Sequence, residues 1–373
     1  MKHLLLTWLA FPLVFITTDV LDSYSAESTA KPNLVIVDND FTGPPDTLSD
    51  LRSGLMFLES PNVNVLGFTV VTGDGWRDEE VAHLLRLEEV AGRTDVPVVR
   101  GAVYPLVNTP EDMRAWEKQF GEPIAYKGAW DLKEDRTDEP GYSPHDPSFV
   151  PSLPEGSPKT HAQSGYAPEF MIEQVHAHPH EVSIFAGGPL TDIALAVRMD
   201  PDFPRLAKQL VFMGAASPGH YPDFNVRFDP EAARIVLTAP WASITSVCDV
   251  TYEVELTPTD LEKIRAVHNR VAEFVAAYSG YDVSTPAVSK HHLWDEVAAS
   301  VLIDPSVVKD ASWKYLDVII DHGIKYGVVA AFNTPCLNPD QPGVRVVLKL
   351  DVDRFKAEFI DCMTAQSAVS PTH

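Results

Sequence analysis

Short apolar runs alternate with helical patterns through most of the chain, and this alternation predicts parallel strands joined by crossover helices. The apolar runs predict strands over residues 34–37, 65–71, Val182–Ala186, Gln209–Met213 and 242–247. A further run, 96–99, contains Pro97, which confines it to a sheet edge or a strand start. Amphipathic stretches at 79–91 and 190–199 predict helices between strands. A helix starting near Asp46 or Thr47 would bury Leu48, Leu51, Leu55 and Leu58 as one stripe. The expected fold is α/β, an open and mostly parallel sheet flanked by helices. Ligands in such sheets sit beyond the carboxyl ends of the strands, so chemistry is expected immediately after them.

The pattern changes in four places. Residues 1–30 begin with Lys2 and His3, continue with an apolar run from Leu4 to Ile16 and end in Ser28-Thr29-Ala30. That order predicts an export signal, too short in its apolar part to span a membrane, and an exported, periplasmic or secreted protein. Residues 108–163 are rich in Pro, Gly, Asp and Glu with little periodicity, which predicts a long insertion acting as a lid. From 258 to 304 the pattern is helical, and Val344–Leu350 predicts a late strand. Residues 364–373 predict a polar, flexible tail. With no internal repeat and no Gly/Ser linker, 31–363 is expected to form a single domain.

Composition narrows the function classes. Of 373 residues, 45% are hydrophobic, enough for a sizeable core. A formal net charge of -24 opposes nucleic acid and anionic lipid, so neither nucleic-acid binding nor stable membrane association is expected. Three cysteines exclude a disulfide framework and a thiolate zinc site, leaving room for one bridge, Cys336 to Cys362, in an oxidising compartment.

The densest candidate chemistry follows the first strand, where Asp38-Asn39-Asp40 places carboxylates at its carboxyl end. Alternate strand residues share a face, so Asp38 and Asp40 are expected to point the same way. Asp46 and Asp50, four apart, share one face of the next helix's first turns, where negative charge is favoured; Asp46 can equally serve as the helix cap.

With these residues the chain resembles the inosine-uridine type nucleoside hydrolases, which open with Asp-x-Asp and then paired aspartates at a helix start. Counting back without gaps from Gly67-Phe68-Thr69-Val70-Val71-Thr72-Gly73-Asp74, the helix-start metal aspartate is Asp50, with Asp46 as the alternative. Ser49 stands where the family has the other aspartate, which contacts the sugar. Phe185-Ala186-Gly187-Gly188-Pro189-Leu190-Thr191-Asp192 resembles the family's Gly-Pro-Leu-Thr-Asn turn, implying that the Gly187 carbonyl binds calcium. Met213-Gly214 with Asp223-Phe224-Asn225-Val226 resembles the ribose-binding segment, so Met213, Asp223 and Asn225 would contact substrate, or the last two would cap a helix. Asp223 stands where the family usually has Glu. In Trp294-Asp295-Glu296-Val297-Ala298, Asp295 would close the metal site. Trp294 replaces the histidine that many members carry there, and together with Asp74 it is similar to the purine-specific branch, in which indoles stack on the base.

The resemblance implies a nucleoside hydrolase fold with a Rossmann-like sheet, a Ca2+ cofactor held by Asp40, Asp50, Gly187 and Asp295, and a ribonucleoside as the small-molecule partner. It also raises a homo-oligomer as the expected assembly. The implied reaction is hydrolysis of the N-glycosidic bond, with purines preferred. Calcium accepts several oxygen ligands at flexible geometry, and a cation of this kind acidifies water. Asp40 would take the proton and aim the water at the anomeric carbon, where positive charge builds. Trp294 would activate the leaving purine by stacking, with Trp116 on its opposite face and Tyr104 and Trp76 behind. Of His291 and His292, adjacent on the chain, at most one can reach the site; His220 has no stronger claim. Two alternatives stand beside this reading: a haloacid-dehalogenase-like phosphohydrolase, which also opens with Asp-x-Asp, and a non-catalytic exported nucleoside-binding or ribose-binding protein.

Overall fold

The computed structural model describes residues 31–44, 49–135, 143–215, 223–279, 291–337 and 341–366, with Ser49 described in its backbone only. The expected export signal, Asp46, Leu48, the Ser49 side chain, His220 and the end of the tail lie outside them.

From Pro32 onward the chain builds one nine-stranded sheet. It opens with β1 (Asn33–Asn39), α1 (Ser49–Glu59), β2 (Val63–Val70), α2 (Arg77–Ala91) and β3 (Val98–Arg100). The insertion carries α3 (Pro110–Phe120). Then come α4 (Ala167–Ala177), β4 (Val182–Ala186), α5 (Thr191–Met199), α6 (Phe203–Leu206), β5 (Gln209–Met213), α7 (Phe224–Phe228), α8 (Pro230–Leu237) and β6 (Ile244–Val247). The last third holds α9 (Pro258–Arg265), α10 (Arg270–Tyr278), α11 (Trp294–Ile303), β7 (Val308–Val318), β8 (Val329–Phe332), β9 (Val344–Leu350) and α12 (Val352–Met363). The strand order is β3-β2-β1-β4-β5-β6-β9-β7-β8. All pairings are parallel except β9 with β7 and β7 with β8.

Both faces of the parallel strands are covered, which is why they read as unbroken apolar runs. In β1, Val35 and Val37 enter the core that includes α1, α2, α11 and α12, while Leu34 and Ile36 enter the core that includes α4, α5 and α8. The chain runs outward through β2 and β3 on one side of β1 and returns to place β4 on the other side. The switch in direction therefore opens a crevice at the carboxyl ends of β1 and β4, the place where such sheets bind ligands.

The central strands and helices lie where the apolar pattern puts them, and β3 is the edge strand that Pro97 implies. Three features differ. The insertion contains α3, whose start is capped by the Thr109 side chain accepting from Asp112 N–H, with Pro110 at its first position. β7 and β8 have no counterpart in the sequence reading, because these outer strands are largely half-exposed and carry no unbroken apolar run. The Cys336–Cys362 bridge is absent: all three cysteines are free, Cys362 buried on α12 with its Sγ 3.9 Å from the Met56 carbonyl, Cys336 held by Gln341.

Glu88, on α2, is buried with Oε1 lacking a hydrogen-bond partner, and burial raises its pKa from 4.5 to about 9. A carboxyl whose folded pKa is raised stabilises most below its unfolded pKa and loses that contribution as pH rises through the folded value. Glu88→Gln is therefore expected to leave stability unchanged near pH 4 and to raise it by roughly 1–3 kcal/mol at pH 9, the usual penalty for an unsatisfied buried polar group. Urea melts at the two pH values check this; equal differences at both would contradict it.

Candidate active site

β1 ends in the crevice and delivers three polar residues in succession, all buried. Asp38, still within the strand, points toward the α5 face: its Oδ1 accepts from the Thr69 hydroxyl at 2.7 Å. Burial and the nearby Asp192 carboxylate push Asp38 well above the usual carboxylate range. Asn39 points to the opposite face, as alternation requires. Its Nδ2 donates to Asp295 Oδ2 at 2.8 Å and to Ser53 Oγ at 3.4 Å. Asp40 lies one residue beyond the strand, where alternation lapses, and its carboxylate gathers with those of Asp50 and Asp295. The expectation that Asp38 and Asp40 point the same way is thus corrected: Asp38 is a structural partner of Thr69, and only Asp40 enters the site.

Asp40 is gripped by backbone. Asp74 N–H donates to its Oδ2 at 2.9 Å. A Cβ on Gly73 would fall 2.0 Å from Oδ2, and one on Gly188 would fall 2.7 Å from Oδ1. These two glycines, from the turns after β2 and β4, let the main chain close on the carboxylate from two sides.

Two more carboxylates arrive on helices. Asp50 sits in the first turn of α1, accepting from Thr42 N–H at 3.3 Å, and Asp295 sits in the first turn of α11. One oxygen from each of Asp40, Asp50 and Asp295 lies within 4.8 Å of the others. Burial pushes all three pKa values up, Asp295 to about 6, and for Asp40 and Asp50 the charges of Asp74 and Asp295 add to the effect. Carboxylates packed this closely and shielded from water favour either protons or a cation. An all-oxygen donor set of this density fits a hard divalent cation.

The Gly187 carbonyl, at the end of β4, is beside this cluster: a Cβ on Gly187 would meet the Asn39 amide. That carbonyl accepts a hydrogen bond from Asn225 Nδ2, which also donates to Met213 O at 3.0 Å. Asn225 therefore ties the ends of β4 and β5 together, and the second lone pair of the Gly187 carbonyl remains available to a ligand. Asp223 caps α7, its side chain accepting from Val226 N–H at 3.1 Å, so its helix-capping role is realised. Asp74 is half-buried, and its charge is felt by Asp40 and Asp50.

The aromatic residues divide into two groups. Trp294, at the start of α11 and next to Asp295, lies 5.5 Å from the His292 ring and 6.5 Å from Tyr252, which is 54% exposed. Burial, with Cys248 and Asp223 nearby, raises the Tyr252 phenol to about 12. His291 is shifted downward by burial and by the Arg52 charge. Trp116, on α3, belongs to a separate buried cluster with Trp76, Met113, Ile124, Ala129, Trp130, Phe228 and Tyr326. The Arg227 guanidinium covers its ring at 3.9 Å, and its Nε1 donates to Gly323 O at 2.9 Å. One face of Trp116 is thereby occupied, and no contact joins it to Trp294. Tyr104 packs edge-on to Trp76 at 6.0 Å and is 59% exposed. The insertion reaches the site by backbone instead: Ala129 N–H donates to Gly73 O at 2.9 Å, and Gly128, at φ 59°, approaches so closely that a Cβ would fall 2.2 Å from that oxygen.

Sequence reasoning did not single out Asn39, Arg52 and Glu296, which surround the carboxylates. Arg52 and Glu296 form a buried ion pair at 2.6 Å between α1 and α11. The available signal was a cation placed one residue after Leu51 on a helix whose neighbouring positions are apolar.

A parallel sheet whose switch-point crevice holds a buried cluster of oxygen donors is an α/β fold with a ligand site suited to a hard cation. The model of the inosine-uridine preferring nucleoside hydrolase family matches residues 35–357, and the chain belongs to that family. It is accordingly an enzyme that hydrolyses the N-glycosidic bond of ribonucleosides, which displaces the phosphohydrolase alternative. Similar relatives include a probable uridine nucleosidase 2 of Arabidopsis thaliana, 28% identical over 73% of this chain and 78% of that protein. An inosine-uridine preferring nucleoside hydrolase of Leishmania major is 26% identical over 82% of this chain and 90% of the relative. Among solved structures, a purine-preferring ribonucleoside hydrolase from Gardnerella vaginalis superposes with a TM-score of 0.70 at 20% identity, covering 89% of this chain and 98% of the other, which shows the shared fold.

Proposed function

We propose that this chain is a calcium-dependent, purine-preferring ribonucleoside hydrolase that acts outside the cytoplasm. The observation that carries the reading is the convergence of Asp40, Asp50 and Asp295 within 4.8 Å at the switch point. Asp40, Asp50, Asp295 and the Gly187 carbonyl would hold the calcium ion, which when bound acidifies water and orients a ribose diol.

The chain's own groups supply the rest. Asp40 is the general base: its carboxylate takes a proton from the attacking water and is held in place by the Asp74 amide and the flanking glycines. Asp223, Asn225, Asp74 and Ser49 would contact the sugar, as the resemblance to the family implies. The surrounding carboxylates favour the positive charge that builds on the ribose ring. Trp294, with His292 and Tyr252 beside it, offers an aromatic wall for the departing base. Purine preference rests on that wall. Among relatives, one solved structure is titled purine-preferring, whereas the Arabidopsis relative is titled a uridine nucleosidase.

Export rests on the basic end, apolar run and small-residue stretch within residues 1–30. Among the described residues no helix is long and apolar enough to cross a membrane. Residues 108–163 are proposed as a lid on their length and their Pro-, Gly-, Asp- and Glu-rich composition, and within them Ala129 N–H donates to Gly73 O beside Asp40. A homo-oligomer is proposed by analogy with the family.

The test is release of reducing sugar from inosine, guanosine, adenosine, uridine and cytidine, with calcium and then with chelator. The expected result is faster purine turnover that chelation abolishes and calcium restores. Chelator-insensitive turnover would remove the metal from the reading. Tight inosine binding without base release over hours would replace the enzyme with a nucleoside-binding protein.

A further inference from the structure

We propose that the buried Arg52–Glu296 ion pair is the positioning device that sets the separation of Asp50 and Asp295 in the metal site. The inference rests on the calcium site proposed above.

The pair bridges two helices that each bring one ligand. Arg52 follows Asp50 by two residues on α1, and Glu296 follows Asp295 directly on α11. Its members are 244 residues apart in sequence, with side chains 3% and 0% exposed, and Arg52 Nε donates to Glu296 Oε1 at 2.6 Å. Around them the contact between these helices is apolar, with Leu51, Leu55, Val297 and Ala298 in one core cluster.

Apolar side chains would fill such a place at lower desolvation cost, since a buried ion pair seldom stabilises a fold more than hydrophobic packing of equal volume. A directional bond of fixed length adds a constraint on the rotation of one helix against the other that apolar packing of equal volume need not supply. Here that constraint bears directly on the site, because each member of the pair lies within two residues of a carboxylate that would share the cation. Arg52 favours the charged form of Asp295, and Glu296 opposes it. Asn39 completes the frame from β1 by donating to Asp295 and to Ser53 on α1. Groups that orient metal ligands in this way typically govern affinity by about 10–100-fold.

The test uses the purified full chain and calcium alone. Calcium affinity is measured by isothermal titration, and thermal melting is measured in chelator, for Arg52→Met, Glu296→Gln and the double variant Arg52→Met/Glu296→Met. Each single variant is expected to lose about 10–100-fold in calcium affinity. The double variant removes both charges, so its metal-free melting temperature should match or exceed the wild type. Its calcium affinity should nevertheless stay as low as that of the single variants. That split separates positioning from mere packing, and the double variant carries the test even if a single variant fails to fold. Wild-type affinity in the folded variants, or recovery of both stability and affinity in the double variant, overturns the inference while leaving the calcium site standing. A wild-type chain that binds no calcium removes the site, and this inference with it.

Discussion

Asp40→Ala is expected to lower kcat for inosine by about 10³-fold or more. Removal of a positioned general base alone costs about 10²–10⁴-fold, and the same substitution removes one of three carboxylates from the cation's cage. Asp40→Asn separates the two roles, because the amide keeps an oxygen facing the Asp74 N–H but cannot accept a proton from water. It should be nearly as inactive as the alanine variant. In chelator at pH 8 it should melt above the wild type, since it removes a buried carboxyl whose pKa is raised by burial and by the charges of Asp74 and Asp295. The sign follows from linkage: carboxyls with raised folded pKa values cost stability as pH climbs through them. Reducing-sugar assays and melting curves check both parts. An alanine variant within tenfold of the wild type would show that Asp40 is not the base.

Trp294→Ala is expected to lower kcat/KM for inosine by roughly 10–100-fold while changing uridine far less. Base-to-aromatic stacking contributes about 1–3 kcal/mol per base, and 1.36 kcal/mol is a factor of ten in rate. Trp294 sits next to Asp295 at the start of α11, with the His292 and Tyr252 rings beside it. Calcium affinity of the variant serves as the control, because a general collapse of the α11 start would weaken it. Equal losses on purine and pyrimidine would place Trp294 in packing, and unchanged purine rates would defeat the stacking assignment. Trp116 is expected to matter less, since Arg227 already occupies one face of its ring.

Much of the site was legible because its parts sit at strand ends and helix starts. Asp40 follows an unbroken apolar strand and could be placed from local pattern, whereas Gly187 and Asp295 were assigned through the resemblance of their segments to the nucleoside hydrolase family. Asp50 could be told from Asp46 only by counting back from a neighbouring segment, and the described structure places Asp50 with Asp40 and Asp295. Asp38 was misread because the alternation rule holds within a strand, whereas Asp40 lies just beyond one. Trp116 was chosen as a platform from its place in the insertion, and only the structure reveals that a guanidinium from α7 lies across one face of its ring.

By itself, the sequence determined the class of fold, the central strands and helices and the carboxylates that end the first strand, because these follow from local hydrophobic period and the residue types next to it, while Asp50 and Asp295 were assigned through the family resemblance. The tertiary structure alone decided which carboxylates meet, that Asn39 and the Arg52–Glu296 pair frame them, that β7 and β8 extend the sheet, and that Cys336 and Cys362 stay apart. The physical reason is range. A helix or strand responds to neighbours a few residues away, whereas a bond between groups 244 residues apart exists only after two helices have packed, and no local period records that event.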